Sequence, residues 1–202
     1  MCGIIGNFNR DEKIDQIYLE NLISISKEIN FRGPDYFDYY LDENKKIFLG
    51  HLRLSIIDTS SNANQPIFSK DKRFLISFNG EIYNFKELYK KLEISDNSIL
   101  KSDTKVLVEF LSKYGVEKTL KEINGMFALA IFDIKENYLY LARDFFGKKP
   151  IFYYQDNNKI FFSSTLKPII KNTKIKKILN KTSLEHYFTY AYCSKTQSIF
   201  EN

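Results

Sequence analysis

The sequence predicts an α+β fold built mainly from antiparallel sheets, and three observations carry that prediction. Short runs rich in aromatic and β-branched residues come in two blocks, strand beside strand. Stretches with helical spacing of apolar residues lie between and around the blocks. Nothing in the chain shows the regular strand–helix–strand alternation of a parallel sheet.

Taken in order, residues 3–8 are short and apolar and predict a buried strand. In DEKIDQIYLENLISISKEIN, Ile14, Tyr18, Leu22, Ile25 and Ile29 recur at helical spacing, and Gly33-Pro34 of FRGPD ends the helix. Strands follow at 36–41, 47–51, 54–58 and 74–79, with the polar loop TSSNANQP before the last of them. Phe85, Leu88, Tyr89 and Leu92 share one face of a second helix, which Asn84 is placed to cap. A third begins at Ser102-Asp103, carries the stripe Val106, Leu107, Phe110, Leu111 and Tyr114, and is expected to end at Gly115. MFALAIFD, NYLYLA, PIFYY and KIFFSS predict a second run of strands, with helices near 166–171 and 182–190. There is no internal repeat, low-complexity segment or Gly/Ser linker.

Composition narrows the functional classes. The 202 residues suit one sizeable domain or two very small ones, and 18 Phe with 14 Tyr supply core packing where Trp is absent. The net charge of +5 gathers late, at Lys167, Lys171, Lys174, Lys176, Lys177 and Lys181. With no zinc-finger spacing and no RNA-binding aromatic signature, a solvated or partner-facing surface is expected there, not a nucleic-acid site. Cys2 and Cys193 cannot make a disulfide framework, and with no CxxC and two His no metal cluster is expected. The N-terminus lacks a basic segment followed by an apolar one, and no apolar run approaches about 18 residues. A soluble, cytoplasmic protein without membrane contact is therefore the expectation. Neither GxxxxGK[ST] nor GxGxxG occurs, so no nucleotide site of those kinds is expected.

Cys2 stands directly behind the initiator methionine in MCGIIG. The residues after Met1 are small, so its removal by methionine aminopeptidase is expected. Cys2 would then carry a free α-amine, a group that titrates at about 7.7–8.0. One residue would supply both nucleophile and base. Taken alone, a cysteine at this position is more often a small buried residue or an accident than a nucleophile. Asn79-Gly80 offers a side-chain amide beside a backbone N–H, two neutral donors for a developing oxyanion. The same dipeptide is a strong hairpin signal, weakened here because a helix follows. Arg53 can hold a carboxylate bidentately or sit on a sheet surface. Asp103 can cap a helix or meet a substrate ammonium. A Cys–His pair would need His51 or His186, and no local signature supports one.

The phrases MCGIIG, FRGPD, GHLRLSIID, QPIF, FNGEIYNFKEL, SDTKVLVEF, INGMFALAIFD, RDFFGKKPIFYY and FSSTLKPII occur in one order across nearly the whole chain. Together they resemble the class II glutamine amidotransferases, most nearly the N-terminal glutaminase half of glutamine-hydrolysing asparagine synthetases. The resemblance implies an N-terminal nucleophile hydrolase fold, a four-layer αββα sandwich of two mainly antiparallel sheets. It implies Cys2 as nucleophile with its own amine as base, and Asn79 and Gly80 as the oxyanion hole. Arg53 would hold the α-carboxylate of L-glutamine and Asp103 its α-ammonium, with Leu54, Ser55, Ile56, Ile57 and Glu81 lining the pocket. RDFFGKKP, with Arg143, Asp144, Gly147 and Pro150, is expected to be structural.

The implied reaction passes through a γ-glutamyl thioester to glutamate and ammonia, and the ammonia passes through a tunnel to a synthetase domain. No cofactor is expected in this chain. ATP and Mg would serve the synthetase domain, whose SGGxDS phrase is absent here. Residues 2–170 are expected to form the glutaminase domain and 171–202 a connection toward that domain, held in the same or a separate chain. The late lysines and HYFTYAY are expected to dock there, and a homodimer is the alternative occupant. Two other functions stand beside this one: the glutaminase half of an amidotransferase for another carboxylate or a sugar, and a non-catalytic glutamine-binding or partner module.

Overall fold

The computed structural model describes residues 1–55, 63–172, 174–193 and 198–201. The elements in chain order are β1 (Gly3–Asn9), α1 (Gln16–Ser26), a 3-10 helix (Lys27–Arg32), β2 (Tyr36–Leu41), β3 (Ile47–Arg53), β4 (Ile67–Phe68) and β5 (Phe74–Ile82). Then come α2 (Phe85–Leu92), a second 3-10 helix (Asn97–Lys101), α3 (Asp103–Glu122), β6 (Gly125–Asp133), β7 (Tyr138–Arg143), β8 (Phe152–Gln155), β9 (Lys159–Ser163), α4 (Leu166–Lys171) and α5 (Lys181–Tyr190). The strands form a five-stranded sheet in the order β2-β3-β1-β9-β8 and a four-stranded sheet in the order β4-β5-β6-β7. All the pairings are antiparallel.

Apolar residues on alternate faces of each sheet explain the layering. Ile4, Ile47, Leu49 and Phe162 of the larger sheet meet Leu75, Ala128, Ala130 and Phe132 of the smaller one. The opposite face of the larger sheet, with Ile5, Phe48, Leu52 and Phe161, packs under Ile14, Tyr18, Leu22, Ile25 and Ile29. The opposite face of the smaller sheet, with Ile76, Phe78, Leu129 and Ile131, packs under α2 and α3. The result is helix, sheet, sheet, helix, the four layers expected. Because β1 and β3 are covered on both faces, they read as continuous apolar runs and not as alternating ones.

Some boundaries differ from expectation. The first helix ends at Ser26, whose Oγ donates back to Leu22 O at 2.7 Å, and the chain tightens into 3-10 geometry up to Arg32. Of the strand predicted at 54–58, Leu54 and Ser55 are irregular, β3 itself running to Arg53, and residues 56–58 lie outside those described. β5 runs on to Ile82, so Asn79-Gly80 lies inside a strand and forms no hairpin turn. Gly115 does interrupt α3, with φ 78° and ψ 172°, but a further helical piece continues to Glu122. Asn84 stands at the N-cap of α2 without a side-chain cap bond. Its amide instead donates to Glu122 O and accepts from Asn124 N, tying the end of α3 to β6.

The chain beyond β9 still packs on the sandwich. Asn172 Nδ2 donates to Tyr18 OH at 3.0 Å, and Ile175 is buried among the residues under α1. Lys167 and Lys171 pair with Glu28 at 2.6 and 2.5 Å, and together they hold the Glu28 carboxyl down at about 2. Lys174 lies over the Tyr18 ring. Half of the late lysine cluster is thus engaged within the fold. Tyr187, Phe188, Tyr190 and Tyr192 are exposed.

Candidate active site

The sheets come together at one end around a cavity of about 170 Å³. That is smaller than the roughly 300–1,000 Å³ of a site for a drug-sized ligand, and it suits a small metabolite. Its walls come from several elements. Cys2 enters from the chain just before β1, Arg53 and Leu54 from the end of β3, and Asn79, Gly80 and Glu81 from β5. Ser102 and Asp103 close one side from the start of α3, with Gln65, Met126 and Lys149 elsewhere on the wall.

The ladder explains how Cys2 gets there. Gly3 pairs with Leu52, so Cys2 is level with the end of β3. Its Sγ accepts from Leu54 N at 3.3 Å and lies 3.6 Å from Leu54 O. The FRGPD phrase secures the same corner. Arg32 Nε donates to Cys2 O at 3.1 Å, and Asp35 Oδ2 accepts from Ser55 N at 2.7 Å.

β5 contributes through its outer edge. Antiparallel alternation turns the backbone groups of Phe78, Gly80 and Ile82 to one edge. At Phe78, Gln65 Oε1 accepts from N at 2.7 Å and Gln65 Nε2 donates to O at 3.2 Å. At Ile82, Asp103 Oδ2 accepts from N at 3.0 Å. Gly80 lies between these two side-chain plugs, and no described side chain bonds it. Beside it, Asn79 is buried, and its Nδ2 has no hydrogen-bond partner among the described residues. Buried polar atoms are nearly always paired, so an orphan amide on a cavity wall is a donor held ready for something placed in the cavity. Gly80 has to be glycine here, because a Cβ would stand 2.2 Å from Met126 O on β6.

Charges of both signs face the cavity. Arg53, 6% exposed, donates from Nη1 to Asn64 Oδ1 at 2.5 Å. Lys149 is buried beside the turn that Asp144 organises by accepting from Phe127, Lys148 and Lys149 N. Asp103 is the first residue of α3 and not its cap. Ser102 fills that place, accepting from Lys105 N. Burial pushes the Asp103 carboxyl above its ordinary range and Glu81 pushes the same way, while bonds from Ile82 N and Thr104 N oppose them. A thiol, orphan donors, cations and carboxylates in a small cavity can bind a zwitterion and open an amide or ester. Among the described residues, no group of three or more His, Cys, Asp or Glu is arranged to hold a metal ion, and no helix is long and apolar enough to cross a membrane.

The family model for a glutamine amidotransferase domain matches residues 1–202. The chain belongs to that family. Asparagine synthetase [glutamine-hydrolyzing] 1 of Bacillus subtilis is 35% identical over 202 residues, covering 98% of this chain and 31% of the relative. Asparagine synthetase B [glutamine-hydrolyzing] of Escherichia coli is 32% identical over 174 residues, covering 84% of this chain and 30% of the relative. The chain thus spans about a third of the length of these curated relatives. Among solved structures, the Bacillus subtilis glutamine phosphoribosylpyrophosphate amidotransferase complexed with ADP and GMP shares the fold. Its TM-score is 0.66 at 19% identity, over 85% of this chain and 43% of that one.

The amidotransferase domain brings Cys2, Arg53, Leu54, Asn79, Gly80, Glu81 and Asp103 to one cavity. Ser55 is held beside it by Asp35. Ile56 and Ile57 lie outside the described residues. Sequence reading missed Arg32 and Asp35 as supports of Cys2, and it missed Gln65, Ser102 and Lys149 on the wall. FRGPD and QPIF were visible as phrases, but their use depends on which strand each one meets.

Proposed function

We propose that this domain hydrolyses the side-chain amide of L-glutamine to glutamate and ammonia through a thioester on Cys2. The observation that carries the reading is the orphan amide of Asn79 on the same cavity wall as the Cys2 thiol and the Gly80 rung. In the reaction, Arg53 holds the α-carboxylate and Asp103 the α-ammonium. Glu81, Leu54, Ser55, Ile56 and Ile57 complete the pocket. Loss of Met1 frees the Cys2 amine, which takes the thiol proton as sulfur attacks the amide carbon. The oxyanion so formed accepts from Asn79 Nδ2 and Gly80 N. The tetrahedral adduct collapses when the amine returns the proton to the leaving nitrogen, and ammonia departs. Water, deprotonated by the same amine, then opens the thioester and releases glutamate.

The lengths and names of the relatives support a role as the ammonia-supplying portion of an asparagine synthetase. In this reading residues 2–170 are the glutaminase unit, and 171–202 lead toward an ATP- and Mg-dependent synthetase portion. The exposed aromatic face of α5 docks on that portion, or on a second copy of the chain. The cytoplasm, where thiols stay reduced, suits two free cysteines.

The test is ammonia release from glutamine by protein whose intact mass shows that Met1 is gone. Wild type is expected to turn over and to accumulate a Cys2 adduct with a glutamine-like alkylating agent. Cys2→Ala is expected to release no ammonia, and undiminished release by that variant would end the reading.

A further inference from the structure

We propose that Gln65 is a positioning residue for the oxyanion donors. Its side-chain amide replaces the missing backbone of β4 and fixes the part of β5 that carries Asn79 and Gly80. This rests on the glutaminase reading above.

The register shows what is missing. β4 pairs Ile67 with Ile76 and Phe68 with Leu75. Continued by two residues, the ladder would set residue 65 opposite Phe78. β4 begins only at Ile67, however, so no strand backbone stands opposite Phe78. Phe78, on the outer edge of its strand, would have no strand partner for its N–H and C=O. The Gln65 side chain meets both, at 2.7 and 3.2 Å, as a strand would have done. His51 Nε2 adds a second donor to Phe78 O at 3.1 Å. Gln65 is 6% exposed and Phe78 2%, so water cannot readily take over either bond. Asn79 is the next residue, and its Nδ2 has no partner among the described residues to hold it in place. The position of that donor depends on the backbone immediately before it. A side-chain amide offers a donor and an acceptor together, as a strand backbone does.

Oxyanion donors have to sit within about 0.5 Å of their productive place. A looser Phe78 therefore affects the transition state and leaves the α-amino and α-carboxyl contacts of Arg53 and Asp103 as they were. The alternative is that Gln65 only seals a sheet edge for stability. Two variants separate these roles in Met1-processed protein. Gln65→Met removes both polar atoms at similar length. Gln65→Glu keeps the acceptor for Phe78 N and leaves Phe78 O to His51. For each, kcat and KM for glutamine, thermal unfolding and the rate of Cys2 alkylation by iodoacetamide are measured. Alkylation displaces iodide at carbon, with the thiol proton passing to base, and develops no oxyanion.

Expected for Gln65→Met is a kcat lower by roughly 10- to 100-fold, with KM and alkylation within about twofold of wild type. Gln65→Glu should lose less. A wild-type kcat in both variants, whatever their melting temperatures, overturns the inference. So does a parallel fall of kcat, alkylation rate and stability, because that is the signature of a structural seal. If Gln65→Met fails to fold, Gln65→Glu decides alone: a lowered kcat with unchanged alkylation supports the role. Wild-type protein that releases no ammonia overturns the glutaminase reading together with this inference, and is told apart because no variant is needed to see it.

Discussion

In the proposed reaction Asn79 and Asp103 make separable demands on the substrate, and their variants are expected to fail differently. Asn79→Ala removes the proposed oxyanion donor, which acts only when charge develops on the amide oxygen. A loss of about 10²–10³ in kcat with little change in KM is expected from steady-state kinetics. Asp103→Asn removes the proposed ground-state contact to the α-ammonium, so KM should rise more than kcat falls. Burial raises the Asp103 carboxyl above the ordinary aspartate range, and the ionised form is the one that binds an ammonium. KM for glutamine should therefore climb on acidification at a higher pH than an ordinary aspartate would give. In Asp103→Asn the same profile should be flat, and an equal climb in that variant would exclude Asp103 as its source. These residues were legible only through an ordered set of phrases. Spacing alone left Cys2, Arg53 and Asp103 each with an ordinary explanation. Arg32 and Gln65 were not legible at all, since their partners, Cys2 O and Phe78, lie 30 and 13 residues away.

β5 is where local and long-range rules part. Its outer edge is closed by a glutamine amide at Phe78 and a carboxylate at Ile82, and only the Gly80 rung between them carries no described side chain. Gly80→Ala should destabilise the fold by about 1–3 kcal/mol, because the new Cβ falls 2.2 Å from the β6 backbone at Met126 O. Urea unfolding measures this, and a neutral result would mean that β6 can move aside. Helix positions and the second block of strands were readable from periodicity, since packing faces repeat along each element. Asn-Gly suggested a turn, but β6 covers both residues, so tertiary pairing overrode a local preference. Gly115 suggested a stop and gave a kink, because the segment after it still had Thr119 and Leu120 to pack.

At the scale of the molecule the two sheets are joined by polar links as well as by their shared core. Ser77 Oγ donates to Gly50 O, and His51 Nε2 donates to Phe78 O. Burial drives His51 down to about 4, with the nearby Arg53 charge adding to it and the bond to Phe78 O opposing. Between about pH 6.5 and 4 the unfolded chain therefore binds a proton that the folded chain excludes. The His51 contribution is complete above pH 6.5 and is lost as the pH falls to 4, on the order of 3 kcal/mol in all. Denaturant melts at pH 7 and 4.5 should show a smaller acid loss in His51→Gln than in wild type, and equal losses would assign the acid sensitivity to the carboxylates. The four-layer order was legible once the phrases named a family. Before that, the element order gave only α+β, because nothing in one strand says which sheet it will join. The Gln65 plug carries one more consequence. A pocket proposed to cleave glutamine amides keeps a glutamine amide in its own wall. Both of its polar atoms are engaged by Phe78, so this amide is not free to compete with a substrate amide for the donors of Asn79 and Gly80.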